Sequence, residues 1–265
     1  MTLLEEAPEV VTAAPPAPAA RLLPALAAVY RAQLARARVS RIPLLFVATF
    51  QSLGILVMMR GVVDPGDNPA AHAVVAGSSV LVVAFVALNL LAQYFGRLRA
   101  TGGLDHYATL PVPPTSVVLG TAAAYASFTV PGALVTAGAG AWMFDLPWTH
   151  LWVLLAVVPT AGAALAGLGA ACGLLAPRQE IATLLGQLGM SAALLLGVLP
   201  VSHLPTAVQW LRDLLPSTYG VEAFARTFTP DPDWAAVAGD LSVCVVVGLA
   251  SLALATRAYR WATVR

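Results

Sequence analysis

Residues 73–96 read AVVAGSSVLVVAFVALNLLAQYFG and are followed at once by Arg97 and Arg99. The stretch contains no charged residue, and it is longer than the roughly 20 apolar residues that cross the hydrocarbon of a bilayer as a helix. Arginines directly after such a stretch are typical of the membrane surface. The stretch therefore predicts a transmembrane helix.

Five further apolar stretches make a total of six predicted spans. They are residues 42–59, 115–144, 151–176, 181–199 and 241–256. The composition agrees, because 59% of the residues are hydrophobic and 10% are charged, whereas a soluble domain has roughly 25% charged residues. The sequence thus predicts an all-α membrane protein with six transmembrane helices.

The basic residues are all arginines, and they are distributed unequally between the two sides that alternating spans define. One side would carry Arg21, Arg31, Arg36, Arg38, Arg41, Arg97, Arg99, Arg178, Arg257, Arg260 and Arg265. The other side would carry Arg60, Arg212 and Arg226. Because loops rich in arginine stay in the cytoplasm, we expect both termini there and the chain in the plasma (inner) membrane.

The chain divides into three regions of different composition. Residues 1–20 contain repeated Ala and Pro and predict a disordered cytoplasmic tail. In residues 21–41, apolar residues recur at helical spacing among arginines, which is typical of an amphipathic helix in the membrane interface. A cytoplasmic extension of the first span fits this segment about as well. Residues 42–265 would form the six-helix transmembrane domain.

The segment between the fifth and sixth spans, residues 200–240, would lie outside. Its apolar residues follow the i, i+3, i+4 spacing of two short amphipathic helices, separated by Pro216. We interpret them as re-entrant helices of an outer gate, and a small external cap packed on the bundle is the alternative. The candidate gate residues are Trp210, Leu214, Pro216, Glu222, Phe224 and Arg226.

A few polar side chains interrupt the predicted spans. They are Gln51 in the first span, Asn89 and Gln93 in the second, and Gln187 and Ser191 in the fifth. An amide exposed to lipid costs free energy, so these side chains should face other helices or a polar path. Substrate contact in such a path and ordinary hydrogen bonding between helices explain them equally well.

Signals of catalysis are sparse. None of the predicted spans contains Asp or Glu, and the four histidines fall in predicted loops. A phosphate-binding P-loop needs a lysine, and the chain has none. No His or Cys spacing typical of a metal site accompanies Cys172 and Cys244. The arginines form no basic face, so we expect no nucleic-acid binding.

The segment between the second and third spans points to a family. Residues 99–120 read RATGGLDHYATLPVPPTSVVLG, and this stretch resembles the coupling region of type-2 ABC exporter permeases. In those proteins a short helix after the second span ends in a turn similar to Leu-Pro-Val. The helix before the first span and the outer segment around Leu215 and Pro216 are similar as well. The chain departs from the family at Ala100 and Thr101, where many members carry an acidic residue.

The resemblance implies an exporter subunit that binds no cofactor itself. A separate ATPase subunit would bind ATP and Mg, and a second identical permease chain would complete a dimer. Because the predicted path contains amides and no charge, we expect a hydrophobic or amphipathic substrate such as a drug, antibiotic or lipid. The ATPase-coupling segment would contain Gly102, Gly103, Leu104, Tyr107, Leu110 and Pro111. A membrane assembly factor or scaffold without transport activity is the alternative, and a membrane-embedded enzyme is less well supported.

Overall fold

The computed structural model describes residues 20–40, 42–198, 212 and 215–263. These residues form helices and no strands, which confirms the predicted all-α class. The predicted tail, residues 1–20, lies almost wholly outside the described residues. Trp210 and Leu214 of the predicted gate lie outside them too.

Ten α-helices account for most of the described chain. They are α1 (Leu22–Ser40), α2 (Ile42–Arg60), α3 (Pro69–Ala84), α4 (Leu91–Ala100), α5 (Gly103–Ala108), α6 (Pro114–Met143), α7 (Leu154–Leu175), α8 (Gln179–Val198), α9 (Pro216–Ala225) and α10 (Trp234–Thr263). A π-helical segment, Phe85–Leu90, joins α3 to α4. Short 3-10 turns, Leu151–Val153 and Arg226–Phe228, precede α7 and follow α9.

Five of the helical stretches are long and apolar enough to cross a membrane, and they match the second to sixth predicted spans. They are Pro69–Ala100, Pro114–Met143, Leu151–Leu175, Gln179–Gly197 and Trp234–Thr263. The first predicted span corresponds to α2, in which Leu45–Arg60 is a shorter apolar helix. The total of six spans therefore stays a prediction.

Two helices begin several residues before the spans predicted from hydropathy, and side-chain caps explain where they begin. Helix α10 begins at Trp234 rather than residue 241, because Asp233 Oδ1 accepts hydrogen bonds from the next backbone N–H groups. Helix α3 begins at Pro69 rather than residue 73, since Asn68 Oδ1 accepts from the Ala71 N–H at 2.8 Å. Hydropathy alone ends a span where polar residues appear, although the helix continues.

These longer helices correct two predictions about ionisable residues. Asp240, which the sequence analysis placed outside the spans, lies in the second turn of α10. His72 lies in α3 and is buried, and His106 lies in α5, so the prediction that all histidines are in loops is wrong. His203 lies outside the described residues.

Helix α7 lies at the centre of the bundle, in contact with α4, α6, α9 and α10. Two of its glycines allow this packing. A methyl group at Gly169 would lie 2.6 Å from the carbonyl oxygens of Ala87 and Leu88, and one at Gly173 would clash with that of Ala92. These glycines therefore form a surface of close backbone approach between α7 and the helical stretch that contains Ala87, Leu88 and Ala92.

Helix α1 packs mainly on α6 rather than on α2. Gly120 of α6 admits Val29 and the backbone of Leu26 at close range. The Oη of Tyr30 lies 3.0 Å from Oγ of Ser127, also on α6. The helix itself matches the sequence analysis, while its location in the membrane interface stays a prediction.

Candidate functional site

Three of the predicted path amides form one hydrogen-bonded chain between two spans. Gln93 Nε2 donates to Asn89 Oδ1 at 2.8 Å, and Asn89 Nδ2 donates to Gln187 Oε1 at 3.3 Å. Asn89 is only 3% exposed, whereas Gln93 is half-buried. We call Asn89, Gln93 and Gln187 the amide chain. It carries no charge, and it can bind a ligand only through hydrogen bonds.

The local backbone explains how Asn89 reaches α8. Asn89 lies in the π-helical segment Phe85–Leu90, and such single-turn π segments are frequent at functional sites. Gly186 of α8 faces it, since a methyl group there would lie 3.1 Å from Asn89 Cα. A larger residue at position 186 would therefore force α8 away from the amide chain.

The other two predicted path residues are separate from the amide chain. Gln51 lies half-buried on α2, which packs against α3 and α6. Ser191 follows Met190, whose sulfur lies 4.0 Å from Asn89 Nδ2. Within the described residues, neither Gln51 nor Ser191 has a hydrogen bond to the amide chain. The structure thus brings together three of the five.

The predicted coupling segment forms a turn followed by the short helix α5. Gly102 has φ of 70°, in the left-handed region that favours glycine, and it directly precedes α5. Gly103 begins that helix. Pro111 follows it, and its carbonyl oxygen accepts a hydrogen bond from the Ala20 N–H at 2.9 Å. The segment is therefore attached to the beginning of α1.

The structure divides the apolar residues of this segment between two surfaces. Leu104 is 3% exposed and packs into the bundle, and Tyr107 is half-buried. Leu110 is 42% exposed, and its neighbours Asp105 and His106 are exposed as well. Leu110 rather than Leu104 is therefore available to a partner in this conformation.

A hydroxyl and amide cluster links the coupling segment to the rest of the bundle. Gln33 Nε2 of α1 donates to Tyr94 Oη of α4 at 2.6 Å and lies 3.5 Å from Tyr107 Oη of α5. The two tyrosine oxygens are 3.5 Å apart. Gln33 is 1% exposed. We call Gln33, Tyr94 and Tyr107 the tyrosine cluster.

The sequence analysis did not predict the roles of Gln33 and Tyr94. One signal was present, because Gln33 follows Leu26 and Tyr30 at the i, i+4, i+7 positions of one helical face. A glutamine on an otherwise apolar face indicates a buried polar partner. Its partners lie 61 and 74 residues away in sequence, so spacing could not identify them.

Charged residues of the predicted outer gate form a network. Glu222 Oε1 lies 2.7 Å from Arg212 Nη2, and Glu222 Oε2 lies 3.7 Å from Arg226 Nη2. Arg226 Nε donates to Asp240 Oδ2 at 3.0 Å. Arg212 is 9% exposed. We call Arg212, Glu222, Arg226 and Asp240 the outer charge network. The sequence analysis predicted Glu222 and Arg226 as gate residues but missed Arg212, which precedes α9, and Asp240, which lies in α10.

Helix α9 packs against α3, α7, α8 and α10. Pro216 is its first residue and is buried, and Phe224 is fully buried against Phe228, with 4.9 Å between the ring centroids. Gly220 lies against Ala161 of α7 and Val80 of α3. The second predicted short helix is therefore present and inserted between spans, while its re-entrant position in a bilayer stays a prediction.

The described residues offer no candidate metal-binding site. They contain no group of three or more His, Cys, Asp or Glu side chains that could hold a metal ion. Cys172 and Cys244 are free thiols.

The arrangement described above, an apolar helical bundle with an uncharged amide chain and a short structured helix between spans, is typical of a membrane permease. The chain belongs to the ABC-2 type transporter family, whose family model matches residues 26–229. The match extends from α1 through the 3-10 turn after α9, and it confirms the resemblance inferred from residues 99–120. A comparison with curated proteins found no match. The protein is thus an integral membrane transport subunit of a family that works with a partner ATPase.

Proposed function

We propose that this chain is the transmembrane subunit of an ATP-driven exporter, powered by a separate ATPase subunit that binds ATP and Mg. Its substrate would be hydrophobic or amphipathic, because the amide chain offers hydrogen bonds without charge. Both termini would lie in the cytoplasm and the chain in the plasma membrane, as the arginine distribution predicts.

One observation carries this proposal: the continuous helical stretch Pro69–Ala100 contains two residues of the amide chain, Asn89 and Gln93, and one residue of the tyrosine cluster, Tyr94. Gln93 donates to Asn89, while the next residue, Tyr94, contacts Gln33 and Tyr107. A force on α5 would reach Tyr94 through Tyr107 and would then move the helix that carries Asn89. The packed helix could therefore transmit ATPase motion to the candidate substrate path.

A second permease chain would complete the path. Helix α8, which provides Gln187, exposes Leu184, Leu188 and Leu195 at 59%, 62% and 56%. This apolar face lies beside the amide chain. We infer that an identical chain packs on it, so that two amide chains would line one path at the dimer interface.

The coupling step is tested with a change that removes one hydroxyl group. In the reconstituted complex of permease and ATPase, Tyr107→Phe should reduce the stimulation of ATP hydrolysis by substrate, because α5 loses its polar contact with Gln33 and Tyr94. Tyr30→Phe is the matched control, since its hydroxyl contacts Ser127 rather than α5. Equal stimulation in wild type and Tyr107→Phe would refute this route.

The path is tested by replacing Asn89, Gln93 and Gln187 together with leucine. This triple variant should insert normally but change transport rate or substrate preference in vesicles. Gln51→Leu is the matched control, because Gln51 is also an intramembrane amide but lies outside the amide chain. Wild-type transport by the triple variant would assign these amides to helix packing.

The scaffold alternative predicts a different result in the same vesicles. A scaffold would show no ATP-dependent movement of any of a panel of hydrophobic compounds, and no compound would stimulate ATP hydrolysis.

A further inference from the structure

A cavity of about 560 Å³ lies at the arginine-rich end of the bundle, where α4, α7 and α10 end. Its lining includes Arg99 of α4, Leu174 and Leu175 of α7, and Arg260 and Trp261 of α10. We call it the inner pocket. It is separate from the amide chain and from the outer charge network.

The inner pocket combines positive charge with an apolar surface. None of the described residues that line it is acidic. Arg260 is exposed and has no ion pair within the described residues, so its guanidinium is available to an anion. Leu175 and Trp261 are 50% and 69% exposed beside it. A soluble anion would gain nothing from these apolar side chains, whereas a lipid would cover them.

The backbone of the pocket initially argues against an anion, because helix carboxyl ends carry partial negative charge. Arg99 offsets this effect for α7. Its Nη1 donates to the carbonyl oxygens of Leu174 at 2.6 Å and Ala176 at 2.9 Å. A guanidinium has five N–H donors, so its Nε and Nη2 groups remain for a further acceptor.

We propose that the inner pocket binds the phosphate group of an anionic phospholipid, whose acyl chains lie along Leu175 and Trp261. Basic pockets between transmembrane helices are suited to lipid head groups, and tryptophan is enriched at the level of those groups. A zwitterionic lipid fits less well, because none of the described lining residues carries a carboxylate that could pair with its cationic group. If the arginine-rich end faces the cytoplasm, as proposed above, this lipid belongs to the cytoplasmic leaflet.

The test measures lipid binding to the purified full-length chain in detergent, with phosphatidylglycerol and phosphatidylcholine of identical acyl chains as probes. Native mass spectrometry gives the Kd of each lipid. Phosphatidylglycerol should bind several-fold more tightly. Arg260→Gln should weaken phosphatidylglycerol about fivefold, the effect of one arginine near a membrane surface, and leave phosphatidylcholine unchanged.

Arg257→Gln is the matched control, because Arg257 is an exposed arginine of the same helix that does not line the pocket. It should bind both lipids as wild type does. Equal affinity for the two lipids, or equal losses in Arg257→Gln and Arg260→Gln, would overturn the proposal in favour of general surface charge.

Two further outcomes would also overturn it. Displacement of the lipid by millimolar inorganic phosphate would indicate a site for a soluble anion. Unchanged lipid binding by Arg260→Gln together with lost co-purification of the ATPase would indicate a protein contact. Because the assay contains no ATPase and measures binding rather than transport, failure of the exporter proposal would leave its result unchanged.

Discussion

The two ends of the bundle differ in whether their charged side chains form ion pairs with one another. At the outer end, charged side chains pair with one another: Glu222 lies between Arg212 and Arg226, and Arg226 also binds Asp240. These pairs connect α9 to α10 and to the segment before α9. The outer end is therefore held together by charges that satisfy one another.

At the arginine-rich end, packing replaces charge pairing. Gly96 and Gly173 allow α4 to approach both α7 and α8, since a methyl group at Gly96 would lie 2.5 Å from the Ala182 side chain. Arg178, Arg257 and Arg260 are exposed and make no ion pair with any described residue. These three arginines are therefore available for the proposed contacts with lipid phosphates and a partner subunit.

Cysteine labelling can determine which end of the bundle faces the cytoplasm. Single cysteines at Asp64 and Asp231, both exposed and both in segments predicted to lie outside, should react with an impermeant thiol reagent in intact cells. A cysteine at Arg178 should react only after permeabilisation. Background labelling is controlled by the parent chain with its own free thiols, Cys172 and Cys244. Labelling of position 178 from outside would contradict the proposed topology.

The outer charge network should be sensitive to loss of its central acid. Glu222→Gln leaves the buried Arg212 without its ion-pair partner, which should cost about 2–4 kcal/mol of stability and lower the Tm in detergent by several degrees. Asp231→Asn removes an exposed acid at the same end and should leave the Tm unchanged. If both variants unfold at the wild-type temperature, the network does not hold this end together.

At the arginine-rich end, stability should instead fall when a glycine at a close helix contact is replaced by a larger residue. Gly173→Ala places a methyl group against the Ala92 carbonyl, so we expect a loss of about 1–3 kcal/mol. Gly239→Ala is the control, because nothing lies within 4 Å of its added methyl group and alanine favours helix. A wild-type Tm for Gly173→Ala would show that α7 can move away from α4 without cost.

The sequence was sufficient for features that depend on local composition. Long apolar runs predicted the helices of the second to sixth spans, and Gly102 and Gly103 allowed the tight turn before α5. The short helix α5 itself was implied by the resemblance of residues 99–120 to the family. Gly102 illustrates the reason, because a left-handed backbone conformation is encoded by the residue that adopts it. Such features need no knowledge of distant partners.

Features that depend on distant partners could not be predicted. Gln33 of α1 and Tyr107 of α5 are 74 residues apart in sequence, and they come together only in the packed bundle. Leu104 and Leu110 are both leucines of the same short segment, so the sequence does not distinguish them. Only the packed structure separates the buried Leu104 from the exposed Leu110.

The most direct measurement is site-specific photocrosslinking between the permease and its ATPase subunit. A photoreactive residue in place of the exposed Leu110 should form a covalent adduct with the ATPase in membranes, whereas one in place of Asp231 should form none. An adduct from position 110 would support ATPase coupling through α5. If position 110 forms no adduct and position 178 forms one, the ATPase contacts the turn before α8. The segment that contains α5 would then have only a packing role.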